Sequence, residues 1–159
     1  FGLAFSSGMA AISVVMNLLK AGDHVISCDD LYGGTYRIFE KVYRDYGLEF
    51  SYVDLTSPEN LSKALRKNSK MVWVETPTNP LLKIIDLKKV SEFAKKHNLI
   101  SVVDNTFATP YFQKPLSLGI DIVVHSSTKY LGGHSDLVGG AILTSNQACY
   151  DRMIFGRGL

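Results

Sequence analysis

The sequence predicts an α/β fold, a mostly parallel sheet with helices on both faces. Apolar runs rich in valine and isoleucine alternate in regular order with segments of helical period, the pattern of a layered α/β domain. Those runs are apolar at almost every position, as strands are when helices cover both of their faces. Polar residues gather just after the runs, where open α/β sheets place their ligands.

Taken in order, Gly8–Ala21 is expected as the first helix, because its apolar stretch from Ala10 to Leu19 is too short to span a bilayer and is bounded by Gly8 and Gly22. His24–Cys28 reads as a strand. Gly34–Tyr46 follows as a helix, with Tyr36, Phe39, Val42, Tyr43 and Tyr46 on one stripe and a stop before Gly47. Leu48–Val53 is the next strand. Ser57–Arg66 is a helix opening on a capping hydroxyl, with Pro58 at its first position. Met71–Glu75 is a strand, and Asp86–His97 is a helix that starts on an aspartate cap. Ile100–Asp104, Ile120–His125 and Gly140–Thr144 complete the strands. No repeat, low-complexity tract or linker interrupts them, so residues 1–159 form one domain or part of one.

Composition narrows the function classes. The chain has 159 residues, 46% hydrophobic and 20% charged, with a net charge of +2, which suits a soluble globular domain. Lys88, Lys89, Lys95 and Lys96 surround Leu87, Val90, Phe93 and Ala94 at helical spacing and read as a solvated helix face, so nothing points to nucleic acid. No run is long enough to cross a membrane, and no signal peptide opens the chain. Cys28 and Cys149 lie far apart without metal-ligand spacing and are expected as free thiols in a reducing compartment, the cytoplasm. No metal is expected. His24 and His97 read as surface residues, His125 as packed in its strand, and His134 as close to the last polar loop. The chain opens on Phe1-Gly2 and closes on Phe155-Gly156-Arg157-Gly158-Leu159, which reads as a segment of a longer protein.

The polar strand ends carry the chemistry. Ser6-Ser7-Gly8-Met9 precedes the first helix, and Asp29-Asp30-Leu31-Tyr32-Gly33-Gly34-Thr35 follows the first strand. Thr76-Pro77-Thr78-Asn79-Pro80, Asp104-Asn105-Thr106 and Ser126-Ser127-Thr128-Lys129-Tyr130 follow later ones. Each alone also reads as a cap, a turn or a loop start. One ligand explains them together: a phosphate, a flat ring with a basic nitrogen, and an aldehyde. Unpaired N–H groups of Gly8 and Met9 at a helix start suit the phosphate, with the hydroxyls of Ser126 and Thr128. Tyr32 suits the ring face, Asp104 the ring nitrogen, Asn79 the phenolic oxygen, and Lys129 the aldehyde. Thr106 belongs to the same group. The ligand is pyridoxal 5′-phosphate, held by Lys129 as a Schiff base, and the lysine is expected to be desolvated. A nucleotide-binding domain is the weaker alternative, since no G-x-G-x-x-G follows a strand and no Walker-type loop is present.

The same stretches, from Phe5-Ser6-Ser7-Gly8-Met9 through Glu75-Thr76-Pro77-Thr78-Asn79-Pro80 to Ser126-Ser127-Thr128-Lys129-Tyr130-Leu131-Gly132-Gly133, resemble the trans-sulfuration enzymes. These are the pyridoxal-phosphate Cys/Met metabolism family, which includes cystathionine γ-lyase, γ-synthase and β-lyase and methionine γ-lyase. The resemblance implies the large cofactor-binding domain of the aspartate-aminotransferase type of fold. It implies Lys129 as the Schiff-base lysine, Asp104 at the ring nitrogen, Tyr32 on the ring, Gly8, Met9, Ser126 and Thr128 at the phosphate, and Arg37 near the substrate. Gly34 stands where methionine γ-lyases carry cysteine. Relatives also use a tyrosine and an arginine from a neighbouring subunit's N-terminal arm, and an arginine of a C-terminal domain. The resemblance implies a homo-oligomer, a homotetramer, acting on a small amino acid such as cystathionine. C–S cleavage by β/γ-elimination is the favoured activity. Cystathionine γ-synthase is the alternative within the family, and a non-catalytic cofactor-binding fragment is the alternative outside it.

Overall fold

Strands that are apolar on both sides must be covered on both sides, and a computed structural model describing residues 1–157 shows how this chain does it. Gly158 and Leu159, the last two residues of the expected domain, lie outside the described residues. The sheet strands are β1 (Gly2–Phe5), β2 (His24–Cys28), β3 (Glu49–Val53), β4 (Ser69–Glu75), β5 (Ile100–Asp104), β6 (Ile122–Ser126) and β7 (Gly140–Thr144). Their order across the sheet is β1-β7-β6-β5-β4-β2-β3. Neighbours from β3 to β6 are parallel, and β7 pairs antiparallel with both β6 and β1. Only β7 among these strands therefore runs against the others. β2 is buried at every residue and β4 from Met71 to Glu75, so both faces are covered, as expected.

The helices are α1 (Gly8–Met16), α2 (Gly33–Ile38), α3 (Glu59–Ala64), α4 (Leu87–Lys96), the short α5 (Thr109–Phe112) and α6 (Gln147–Arg157). α1 rests on β6 and β7, α4 on β4 and β5, α3 on β3, and α6 on α1 and β7. At the centre, Trp73 and Phe39 are fully buried. The Phe39 ring stacks on Phe50 at 4.9 Å and meets the edge of Trp73 at 5.3 Å; such pairs add about 0.5–1.5 kcal/mol each beyond the area they bury.

Several boundaries differ from expectation, each for a local reason. α1 ends at Met16 rather than Ala21 because Leu18 and Leu19 bond to carbonyls three residues back, and the Asp23 carboxylate takes the Lys20 N–H at 3.0 Å. The expected Gly34–Tyr46 helix is α2 followed by a π-helical turn, Phe39–Tyr43, closed by Arg44 N–H to the Phe39 carbonyl. α3 starts at Glu59, and Ser57 supplies a turn carbonyl to Asn60 rather than a hydroxyl cap. It ends before Arg66, whose guanidinium reaches Glu49 and Ser51 instead. Asp86 does cap α4, taking the N–H groups of Lys88 and Lys89. β1 and α6 lie outside the expected elements, as do α5 and a 3-10 turn at Pro115–Leu118. His24, expected at the surface, is fully buried.

Candidate active site

The chain leaves β2 outward to β3, but leaves β4 in the opposite direction to β5 and β6. The loops after β2 and β4 therefore part at the carboxyl edge, and a crevice forms where such folds bind ligands. β1 runs parallel to β6, with Phe5 and Ser126 both paired to Gly140 of β7. That pairing brings Ser6-Ser7-Gly8 to the same edge. The crevice is a cavity of about 480 Å³. Gly8, Met9, Tyr32, Asn79, Asp104, Thr106, Ser126, Thr128 and Lys129 all line it, so the residues expected to hold the cofactor come together from five separate loops. Arg37 does not: it is exposed on α2 and is not among the lining residues.

One end of the cavity is a helix start. The Ser7 hydroxyl caps α1 by taking the Ala10 N–H at 3.1 Å. The N–H groups of Gly8 and Met9 make no hydrogen bond among the described residues. A Cβ on Gly8 would come within 2.8 Å of the Ser126 Cβ, so glycine is what lets the first turn of α1 approach the end of β6. Thr128 is tied to the chain entering β7: its Oγ1 donates to the Gly139 carbonyl at 3.2 Å and accepts the Gly139 N–H at 3.1 Å.

The floor carries two buried carboxyls. Asp104 is 7% exposed. Its Oδ1 takes the Thr106 hydroxyl at 2.6 Å and the Thr106 N–H at 3.0 Å, while Oδ2 has no partner among the described residues. Burial raises its carboxyl above the usual range, and the Thr106 bonds oppose this. Glu75, its register partner on β4, is 4% exposed. Burial first, then the Asp104 carboxylate, push its carboxyl up to about 8.

Asn79 and Tyr32 come from the two diverging loops, and Asp30 joins these: its Oδ2 takes the Thr78 hydroxyl and, at 2.8 Å, the Leu81 N–H. Lys129 sits at the rim with its N–H on the Ser126 carbonyl at 3.2 Å. It is exposed, so the expected desolvation is not met: the lysine stands in the run of turns that follows β6.

These features suit pyridoxal phosphate. Free N–H groups beside hydroxyls match a phosphate, a buried carboxyl oxygen without a partner matches a protonated ring nitrogen, and Ile12 and Phe107 supply apolar walls. Among the described residues no group of three or more His, Cys, Asp or Glu could hold a metal ion, and no helix is long and apolar enough to cross a membrane. Cys28 and Cys149 are free and buried. Sequence reasoning assigned no role to Glu75. Its signal was present, a charged residue closing an otherwise apolar strand at the same height as Asp104.

Comparison with known proteins gives a consistent result. The sequence model of the Cys/Met metabolism PLP-dependent enzyme family matches residues 1–157. The chain is 56% identical over 154 residues to the cystathionine gamma-lyase of Bacillus subtilis (strain 168), covering 97% of this chain and 41% of that protein. It is 51% identical over 153 residues to a probable cystathionine gamma-synthase of Herpetosiphon aurantiacus, covering 96% and 48%. The crystal structure of cystathionine gamma-lyase from Lactobacillus plantarum complexed with L-serine superposes with a TM-score of 0.96 at 46% identity, covering 97% of this chain and 40% of that one. The chain thus spans less than half the length of these relatives.

Proposed function

The chain belongs to the Cys/Met metabolism PLP-dependent enzyme family, and from that premise we propose that residues 1–159 are the large cofactor-binding domain of a trans-sulfuration enzyme that cleaves the C–S bond of cystathionine by β/γ-elimination. The observation that carries the reading is the convergence of Lys129, Asp104, Tyr32, Asn79 and the Gly8-Met9 turn on one cavity. Pyridoxal phosphate, when bound, supplies an aldehyde for an amine and an aromatic ring that withdraws electrons.

Each of these residues has a task in this reading. The N–H groups of Gly8 and Met9 and the hydroxyls of Ser126 and Thr128 bind the phosphate. Asp104, held by Thr106, keeps the proton on the ring nitrogen. Tyr32 covers the ring face, and Asn79 donates to the phenolic oxygen. Lys129 would anchor the cofactor covalently, and its amine, released when the substrate's amino group takes its place, would take the proton from the substrate Cα. Loss of a γ-substituent needs a further proton shift at Cβ, whereas loss from Cβ is direct. The Tyr32 hydroxyl moves protons at the substrate amine and the leaving sulfur. Arg37 lies outside the cavity and would meet only the distal part of a substrate.

A second reading, the γ-synthase, is favoured by the near-equal identity to a lyase and to a probable synthase. The lyase acts on cystathionine alone, while the synthase consumes an activated homoserine ester together with cysteine. We place the protein in the cytoplasm on its two free thiols and as a homo-oligomer, a homotetramer, on the family. Replacing Lys129 by alanine is expected to abolish the visible absorption band that the protein acquires with pyridoxal phosphate. An unchanged band would overturn the proposal.

A further inference from the structure

Glu75 closes β4 directly beside Asp104 of β5. Paired residues of parallel neighbours face the same way, and both carboxyls line the cavity. Burial first, and then the neighbouring Asp104 and Asp30 carboxyls, work against a charge on Glu75. An apolar residue would end this strand without it, so the carboxyl needs a task of its own.

Its contact supplies one. Glu75 Oε2 accepts the Tyr32 N–H at 2.9 Å, across 43 residues of sequence. Tyr32 is the cap residue of α2, and no side chain of its own caps that helix. Gly33 and Gly34 follow it and supply no side chain to anchor the turn. The Tyr32 ring folds against Gly34, where a Cβ would come within 2.4 Å of Tyr32 Cε1 and 3.1 Å of Met9 Sδ. The ring is 46% exposed, so packing alone holds it weakly. The hydrogen bond from the floor holds the N–H of the residue from which the ring projects, while its carbonyl takes the Tyr36 N–H at 3.1 Å.

We propose that Glu75 is a positioning residue that holds Tyr32 over the cofactor cavity through its main-chain N–H, acting on the reaction through that tyrosine without touching substrate. The proposal rests on the reading that the cavity takes pyridoxal phosphate and that Tyr32 moves protons there.

Two variants test it in the protein, cofactor-free and cofactor-loaded. Glu75→Leu removes the acceptor at similar volume, and Glu75→Gln keeps an acceptor oxygen. Amide hydrogen exchange at Tyr32 in the cofactor-free protein reads the clamp directly and depends on no enzymatic assumption. Glu75→Leu is expected to speed that exchange about tenfold and to lower kcat about tenfold, with KM and pyridoxal phosphate affinity within about twofold of wild type. Glu75→Gln is expected to retain both protection and kcat. In either variant, kcat lost while Tyr32 stays protected, or protection lost while kcat is unchanged, overturns the proposal. If the leucine variant does not fold, the glutamine variant decides by the same rule. Failure of the cofactor reading would show instead in the Lys129→Ala spectrum, leaving the exchange result intact.

Discussion

Thr106 ties two strands and a carboxyl together with one hydroxyl. Its Oγ1 donates to Asp104 Oδ1 at 2.6 Å and accepts the Ser126 N–H at 2.8 Å. The loop after β5 is thereby fixed to the end of β6, and Asp104 is left with one free oxygen facing the cavity. Thr106→Val keeps the shape and removes both hydroxyl bonds, so the Ser126 N–H loses its acceptor and Asp104 Oδ1 keeps only the Thr106 N–H. We expect a loss of about 1–3 kcal/mol in stability, seen as a lower Tm, together with weaker pyridoxal phosphate binding in titration. A variant as stable as wild type would show that the bridge carries no energy. At this scale the sequence was legible where chemistry marks a residue. Lys129, Asp104 and the glycine before α1 stand out by type and place. Glu75 stood out by type but its role was not legible, because its partner is a main-chain N–H that only the fold brings near. The exposure of Lys129 and the placement of Arg37 outside the cavity also depend on loop paths that no residue type encodes.

His24 shows how a buried side chain can join elements. Its Nδ1 meets the Ser69 hydroxyl at 2.8 Å and its Nε2 the Ser51 hydroxyl at 2.9 Å, linking the start of β2 to the start of β4 and the middle of β3. Burial first, then the nearby Arg66 guanidinium, lower its pKa from 6.5 to about 4, with Glu49 opposing. Between those values the unfolded chain binds the proton more readily than the folded one. Stability should therefore fall as pH drops from about 6.5 to about 4, by up to about 3 kcal/mol. His24→Asn should flatten that slope in thermal unfolding at a series of pH values; an unchanged slope would assign it to other groups. The sequence placed His24 at the surface because it stands at the first position of a strand, a position that is usually solvated. The strand itself was read with its observed limits, as were Ile100–Asp104 and Gly140–Thr144, because apolar runs have sharp edges. Helix ends moved more. They are set by which nearby side chain or carbonyl takes the N–H groups at each end, as at Asp23 and Ser57, a local competition that periodicity does not reveal.

Across the molecule, the sheet passes through one apolar core, with the chain's only tryptophan fully buried in it. Trp73 fluorescence should therefore report the same event as far-UV circular dichroism when the 159-residue chain is unfolded in urea. Coincident midpoints are expected, and two separated transitions would show that β1, β7 and α1 unfold apart from the rest. That β3, β2, β4, β5 and β6 run parallel follows from alternation in the sequence, whereas their order across the sheet does not. The β1–β7 end does not, since four residues at the chain start carry no periodic signal.

That end has a consequence for how the protein is made. Gly2 is held by Leu143 and Phe5 by Gly140, so β1 has no partner within this stretch until nearly all the rest of it has been made. Until then α1 has no completed sheet to rest on, and the turn at Gly8 cannot settle against Ser126. Contacts of such sequence separation form slowly. Uptake of cofactor by a nascent chain thus waits on the arrival of β7, and a translation stop before Gly140 would leave a product with every named site residue yet without the geometry to use them.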